Sequence, residues 1–161
     1  PLRERGFELC EADLDDPASL AAVGATCTGC YVHSTAGDTK QLDTGEVVRA
    51  RNLARALRAD GSVEQVVFDS AAAEPGHGVK RIAQKHAVEA VFSVEVGLPA
   101  THLRANLFME ELWKSYTRPQ ILKGRYPFSL PPDRAVYLTS VRDMGRLAGT
   151  CLAAPPPPAA G

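Results

Sequence analysis

Neither sign of charge prevails in this sequence. Its 18 lysines and arginines against 19 aspartates and glutamates leave a formal net charge of −1 over 161 residues. No block of like charge stands out, so a broad electrostatic footprint for nucleic acid is not expected. Long apolar runs are lacking too, and no stretch is long enough to span a bilayer. No signal or transit peptide is visible, and the expected compartment is the cytoplasm, with an organelle left open. Cysteine is limited to positions 10, 27, 30 and 151. At this length a compact fold buries roughly 70% of its unfolded surface, so no disulfide staple is required. The pair Cys27-Thr28-Gly29-Cys30 has the spacing of a redox dithiol or half a zinc site. A zinc site needs two more ligands at matching spacing, and neither Cys10 nor Cys151 has a second ligand nearby. Cys30 also opens the apolar run "CYVHS", which reads as a buried strand rather than the helix start of a thioredoxin-like site. Cysteine as a small buried hydrophobe is the better reading. His33, His77, His86 and His102 share no metal-like spacing and are assigned no chemistry.

What the chain does contain is an alternation of strand and helix patterns. "GFELCEA" (residues 6–12) reads as a short strand with Phe7 and Leu9 on one face. Asp15 or Asp16 followed by Pro17 marks a helix start, because a side-chain cap precedes a residue that needs no amide donor. That helix ends at Gly24. "GCYVHST" reads as a buried strand and "AGDTKQLD" as a polar loop. Asp43 with Glu46 resembles a capping box for a helix from Thr44 to about Ala59, whose apolar stripe is Val47, Ala50, Leu53, Ala54 and Leu57. "EQVVFDS" is the next strand. A second long helix is expected from about Val79 to Val94, with Ile82, Ala83, Ala87, Ala90 and Val91 inward. "PATHLRA" follows as a strand, "NLFMEELWKSY" as a helix, "AVYLTSV" as a strand and "VRDMGRLAGTCLA" as a last helix. "PPPPAAG" reads as a disordered polyproline-II tail. Strands and helices alternating at these lengths imply crossover connections and a parallel sheet, an α/β fold. Ligands of such sheets sit beyond the carboxyl ends of the strands. This singles out Asp13, Ser34, Thr35, Asp69, Ser70 and Asn106.

"GFELCEADLDDPASLAAV", "GCYVHST", "VVFDSAAAEPG", "RIAQKHAVEAVF", "LPATHLRANLFMEELW" and "VYLTSVRDMGRLA" come in an order and spacing that resemble the NmrA-like family, the atypical short-chain dehydrogenase/reductases. The resemblance runs over roughly residues 5 to 153. It implies a Rossmann-like parallel sheet with flanking helices, here lacking the first β-α-β unit, as a partial NAD(P)-binding domain over residues 1–153 followed by a Pro/Ala-rich tail at 154–161. By resemblance the Asp13-Leu14 turn lies beside the adenine ring, Ser34 and Thr35 follow the strand bordering the cofactor, and Ser70 is the small hydroxyl behind the nicotinamide. Lys85 matches the lysine that holds the nicotinamide ribose. Phe108 and Met109 match an apolar wall of the substrate cleft, and Asp143 with Gly145 a late turn. Each has a plainer reading. Asp13 would cap a turn, the serines would satisfy strand-end backbone groups, and Lys85 would pair with Glu89 one helical turn on.

Three departures limit what the resemblance carries. The opening strand, the G-x-x-G-x-x-G loop and the second strand are not in this sequence, and "PGHGVK" at 75–80 follows a late strand without the full glycine spacing. Those glycines let backbone amides reach a pyrophosphate. Arg81 stands four residues before Lys85, where orthodox short-chain reductases place a tyrosine acid, and an arginine does not cycle a proton at neutral pH. The sequence also stops soon after "RDMGRLAG". Without two intervening strands, the strands at 6–12 and 29–35 would face a gap of roughly 14 Å, three interstrand spacings. They then pair directly, borrow strands from a partner, or belong to a longer protein whose phosphate loop lies upstream of Pro1, the expectation favoured here. The functional expectation is an NmrA-like NAD(P)-binding protein, a redox-sensing regulator or weak reductase, with NADP or NAD bound poorly by this chain alone. The alternatives are a cofactor-free scaffold or subunit of a larger assembly, with a protein partner or homo-oligomer, and an NADPH-dependent reductase of the isoflavone-reductase kind.

Overall fold

A computed structural model describes residues 2–25, 27–34, 45–73, 76, 78–126, 131 and 133–156. Its centre is a parallel three-stranded sheet: β1 (Gly29–His33), β2 (Gln65–Ala71) and β3 (Ala100–Ala105), in that spatial order. The register pairs Gly29 with Gln65 and His33 with Asp69, then Val66 with Ala100 and Ala71 with Ala105. Helix α1 (Gly45–Asp60) connects β1 to β2. Helix α2 (Lys80–Ala90), which runs on through a π turn at Val91–Glu95, connects β2 to β3. The α/β parallel architecture is as the sequence pattern implies.

Alternation along β2 divides the core into two layers. Val66 and Phe68 join Val32, Ala50, Ala54, Leu57, Val88, Val91 and Phe92 beneath α1 and α2. Val67 turns the other way, with Leu103 and Ala105, to meet Met144 and Ala148 of the last helix. Between β3 and that helix lie a two-residue strand β4 (Leu107–Phe108), a 3₁₀ turn at Met109–Trp113, the short helix α3 (Arg118–Ile121) and β5 (Leu138–Thr139), which pairs parallel with β4. The last helix, α4 (Val141–Ala153), begins at Ser140, whose hydroxyl accepts from the Asp143 amide, while the Glu110 carboxylate accepts from the Val141 amide. Its other end is held by Gln65, whose amide donates to the carbonyls of Leu152 and Ala154 at 2.9 and 3.2 Å. Gly29 is what lets α4 lie so close to β1, since a Cβ there would sit 2.9 Å from Leu152 Cδ2. Gly24, at φ +93°, closes the 3₁₀ turn Pro17–Ala22 in a conformation that L side chains rarely adopt, and Asp16 caps that turn as expected.

Three expectations are corrected. Residues 6–12 form no strand, and Phe7 and Leu9 are about half exposed. A strand needs a partner for its amides and carbonyls, and among the described residues none pairs there, nor along the outer edge of β1. "NLFMEELWKSY" does not form one helix, because Leu107–Phe108 is drawn into pairing with β5 and only a 3₁₀ turn remains. In α2 the buried residues are Val88 and Glu89, followed by Val91 and Phe92 in the π turn, while Ala83 and Ala90 face solvent. The inward stripe passes through Lys85 and Glu89, which a count of apolar positions skips. The whole loop "AGDTKQLD" with Asp43, His77 and the end of the Pro/Ala-rich tail lie outside the described residues. Among those that are described, no helix is long and apolar enough to cross a membrane.

Candidate functional site at the strand ends

The carboxyl end of β1 is closed by a charged cluster. Ser34 is buried, and its hydroxyl donates to Glu46 Oε1 at 2.6 Å. Lys85 Nζ reaches across from α2 and donates to the Ser34 hydroxyl at 2.7 Å and to its carbonyl at 3.0 Å. The same ammonium lies 2.8 Å from Glu46 Oε1, with the carboxylate 1% and the lysine 18% exposed. It also sits 5.7 Å above the Phe68 ring, in reach of a cation–π contact. Lys85 therefore does not pair with Glu89 along its own helix. Its partner is Glu46 in the first turn of α1, a residue that the sequence pattern casts only as half of a capping box.

Leu14 joins this corner. The turn that carries it is tied to α1 by Asn52, which donates to the Leu14 carbonyl at 3.0 Å, and by Arg49 on Asp15 at 3.0 Å. Leu14, Val32, Ser34 and Glu46 line a cavity of about 20 Å³, large enough for a single water molecule. Glu46 Oε2 is buried there with no hydrogen-bond partner among the described residues. Asp13 faces its own turn: its carboxylate accepts from the Asp15 amide at 2.9 Å. Thr35 lies outside the described residues.

Ser70 belongs to a second cluster, on β2. Its hydroxyl donates to Glu89 Oε1 at 2.5 Å, and Arg104 grips the same carboxylate through two bonds of 2.9 and 2.6 Å. Burial alone pushes the Glu89 carboxyl up, but the bonds from Arg104 and Ser70 outweigh it and hold the group below its ordinary range. Phe108 packs against the α4 layer, whereas Met109 is 42% exposed. The structure thus brings together Leu14, Ser34 and Lys85, and keeps Ser70, Asp13 and Phe108 in separate surroundings.

The cysteines do not converge, and among the described residues no group of His, Cys, Asp and Glu is arranged to hold a metal. Burial, then the neighbouring Cys27, pushes the Cys30 thiol up to about 11. Such a thiol is protonated and inert at neutral pH. Alkylation of the folded protein followed by peptide mass analysis should label exposed Cys27 well before Cys30, and equal rates would overturn the buried assignment.

The parallel strands and crossover helices superpose on solved structures of known enzymes. The crystal structure of Citrobacter sp. triphenylmethane reductase complexed with NADP(H) superposes with a TM-score of 0.65 at 20% identity, over 76% of this chain and 41% of that one. The Bordetella bronchiseptica enzyme WbmF, in complex with NAD+, superposes with a TM-score of 0.68 at 17% identity, over 91% of this chain and 55% of that one. The fold is of the Rossmann type. A second structure of the Citrobacter reductase agrees, at 21% identity. The chain spans about half or less of the length of these proteins. No protein-family model and no curated protein sequence matches it.

A nicotinamide dinucleotide fits this corner only in part. Lys85 and Ser34 are suitable groups for a ribose diol, but the cavity beside them admits one water, and both side chains are already engaged. The described residues also include no glycine-rich loop of amides for a diphosphate.

Proposed function

We propose an NmrA-like, NAD(P)-binding function of the redox-sensing or weak-reductase kind, in which Lys85 holds the nicotinamide ribose, Ser34 borders the cofactor, the Asp13-Leu14 turn lies on its adenine side, and this stretch of chain alone holds the dinucleotide weakly. The observation that carries the reading is Lys85, brought by α2 to the carboxyl end of a parallel strand, where sheets of this type take their ligands. Arg81, exposed and always charged, supplies no proton to a substrate oxygen, which favours sensing over turnover. A second reading, a cofactor-free scaffold, is supported by the commitment of both Lys85 and Ser70 to protein carboxylates.

Amide chemical shifts recorded during a titration with NADPH to millimolar concentration separate the two. The first reading expects weak, saturable shifts at Leu14, Ser34 and Lys85, with those at Ser34 lost and the affinity lowered in a folded Lys85→Met variant. Ser34 shifts and an affinity that survive Lys85→Met unchanged remove the lysine from the site, and no shifts at all favour the scaffold.

A further inference from the structure

The face of the sheet away from Lys85 carries a site of different character. Side chains alternate along a strand, so Tyr31 and His33 of β1 and Asp69 of β2 point toward α4, opposite to Val32 and Phe68. In register, His33 lies beside Asp69, and its Nδ1 is 2.8 Å from Asp69 Oδ2. The Asp69 side chain is 11% exposed and the imidazole 61% exposed. A carboxylate accepts the Nδ1 proton, which leaves Nε2 of the neutral ring as an acceptor. No described residue occupies Nε2.

This dyad borders an open groove of about 750 Å³, walled by Phe7, Tyr31, Phe108, Met144 and Leu152. That volume lies in the range of small-molecule sites. Its floor along α4 includes Gly145 and Gly149, and a Cβ added at either meets nothing within 4 Å. Two glycines one helical turn apart present a flat wall against which a planar ring can lie. The polar groups of the lining are His33, Asp69 and the Tyr31 hydroxyl, and burial together with Asp69 holds that phenol protonated beyond its ordinary range. The groove is thus apolar and flat, with a carboxylate-backed proton acceptor at one end.

We propose that this groove binds a planar aromatic molecule bearing a weakly acidic hydroxyl, its ring on the Gly145–Gly149 wall and its hydroxyl donated to His33 Nε2. As the ligand ionises, its O–H bond breaks and the proton moves to Nε2. The phenolate is then paired with the imidazolium, which keeps its Nδ1 contact to the Asp69 carboxylate, with total charge conserved. The site is on the opposite side of the sheet from Ser34 and Lys85 and needs no nucleotide, so its failure leaves the NAD(P) reading untouched.

The test uses 4-nitrophenol, whose phenolate absorbs where the phenol does not, with 4-nitroanisole as the analogue that has no proton to give. Below the midpoint of the free phenol, the protein should produce a saturable phenolate band and bind the anisole at least about tenfold more weakly. His33→Phe should abolish the band while keeping an aromatic of similar size. Gly149→Leu fills open space and improves helix propensity, so it should leave the fold intact and abolish binding of both probes. Equal affinity for the two probes, binding that persists in Gly149→Leu, or no binding to the folded protein each overturns the proposal. So does sedimentation showing a dimer that Gly149→Leu converts to monomer, because the occupant is then a second copy.

Discussion

Glu46→Ala is expected to destabilise the protein by about 3 kcal/mol, measured by urea unfolding with linear extrapolation. The carboxylate is 1% exposed and accepts from both Ser34 and Lys85, so its removal leaves an ammonium that is 18% exposed without its counter-charge and a buried serine hydroxyl without its acceptor. Removing one partner of a buried pair typically costs about 3–5 kcal/mol, and the partial exposure of Lys85 places this case at the lower end. The double variant Glu46→Leu/Lys85→Met should recover most of that loss and lie within about 1 kcal/mol of the wild type, because an apolar pair needs no desolvation to be offset. A double variant less stable than Glu46→Ala alone would mean that the ion pair itself, rather than the unpaired charge, sets the stability of the corner. This outcome bears on function. A lysine held this firmly is released to a ligand only if the ligand replaces Glu46 as its partner, and the size of the loss measures that competition.

Much of the architecture is legible from local pattern. The alternation of "GCYVHST", "EQVVFDS" and "PATHLRA" with two helical stretches yields β1, β2, β3, α1 and α2 in a parallel sheet, and α4 spans Val141–Ala153 as its periodicity indicates. Residues 6–12 have the same alternation and form no strand, because pairing is a property of two segments and alternation of only one. The inward stripe of α2 is misread for a different reason. Lys85 and Glu89 are turned inward by partners distant in sequence, Glu46 and Arg104, so burial here follows charge pairing rather than hydropathy. Lys85 and Ser34 stand out through family resemblance and strand-end position, and the structure unites them. Glu46 escapes notice, since nothing in a first-turn glutamate shows that a neighbouring strand ends above it. His33 is passed over because a search for metal spacing compares histidines with one another. Its partner is Asp69, already singled out by its place near the end of β2, and only the register of the two strands sets them side by side.

The Arg104→Met variant should be about 2 kcal/mol less stable than the wild type near neutral pH, and the deficit should shrink as the pH is lowered toward about 4. Methionine keeps the apolar stem and removes the two bonds to the Glu89 carboxylate, which is 8% exposed. Arg104 is itself 49% exposed, so solvent screening reduces the loss below that of a fully buried pair. The sign follows from the competing influences on Glu89. In the wild type its folded value lies below the ordinary carboxylate value of 4.5. Its contribution is therefore present above 4.5 and is lost as pH falls through the lower folded value. Without Arg104, burial is opposed only by the Ser70 bond and the nearby His102, so the folded value moves up from that of the wild type. The folded variant then binds more protons than the folded wild type across that window, so acid weakens it less than it weakens the wild type. Paired unfolding curves between about pH 7 and about pH 4 read the difference directly and cancel the titration of carboxylates common to both proteins. A deficit that stays constant with pH would show that Arg104 acts through packing or its other contacts, and that Ser70 and His102 suffice to keep Glu89 ionised inside the sheet.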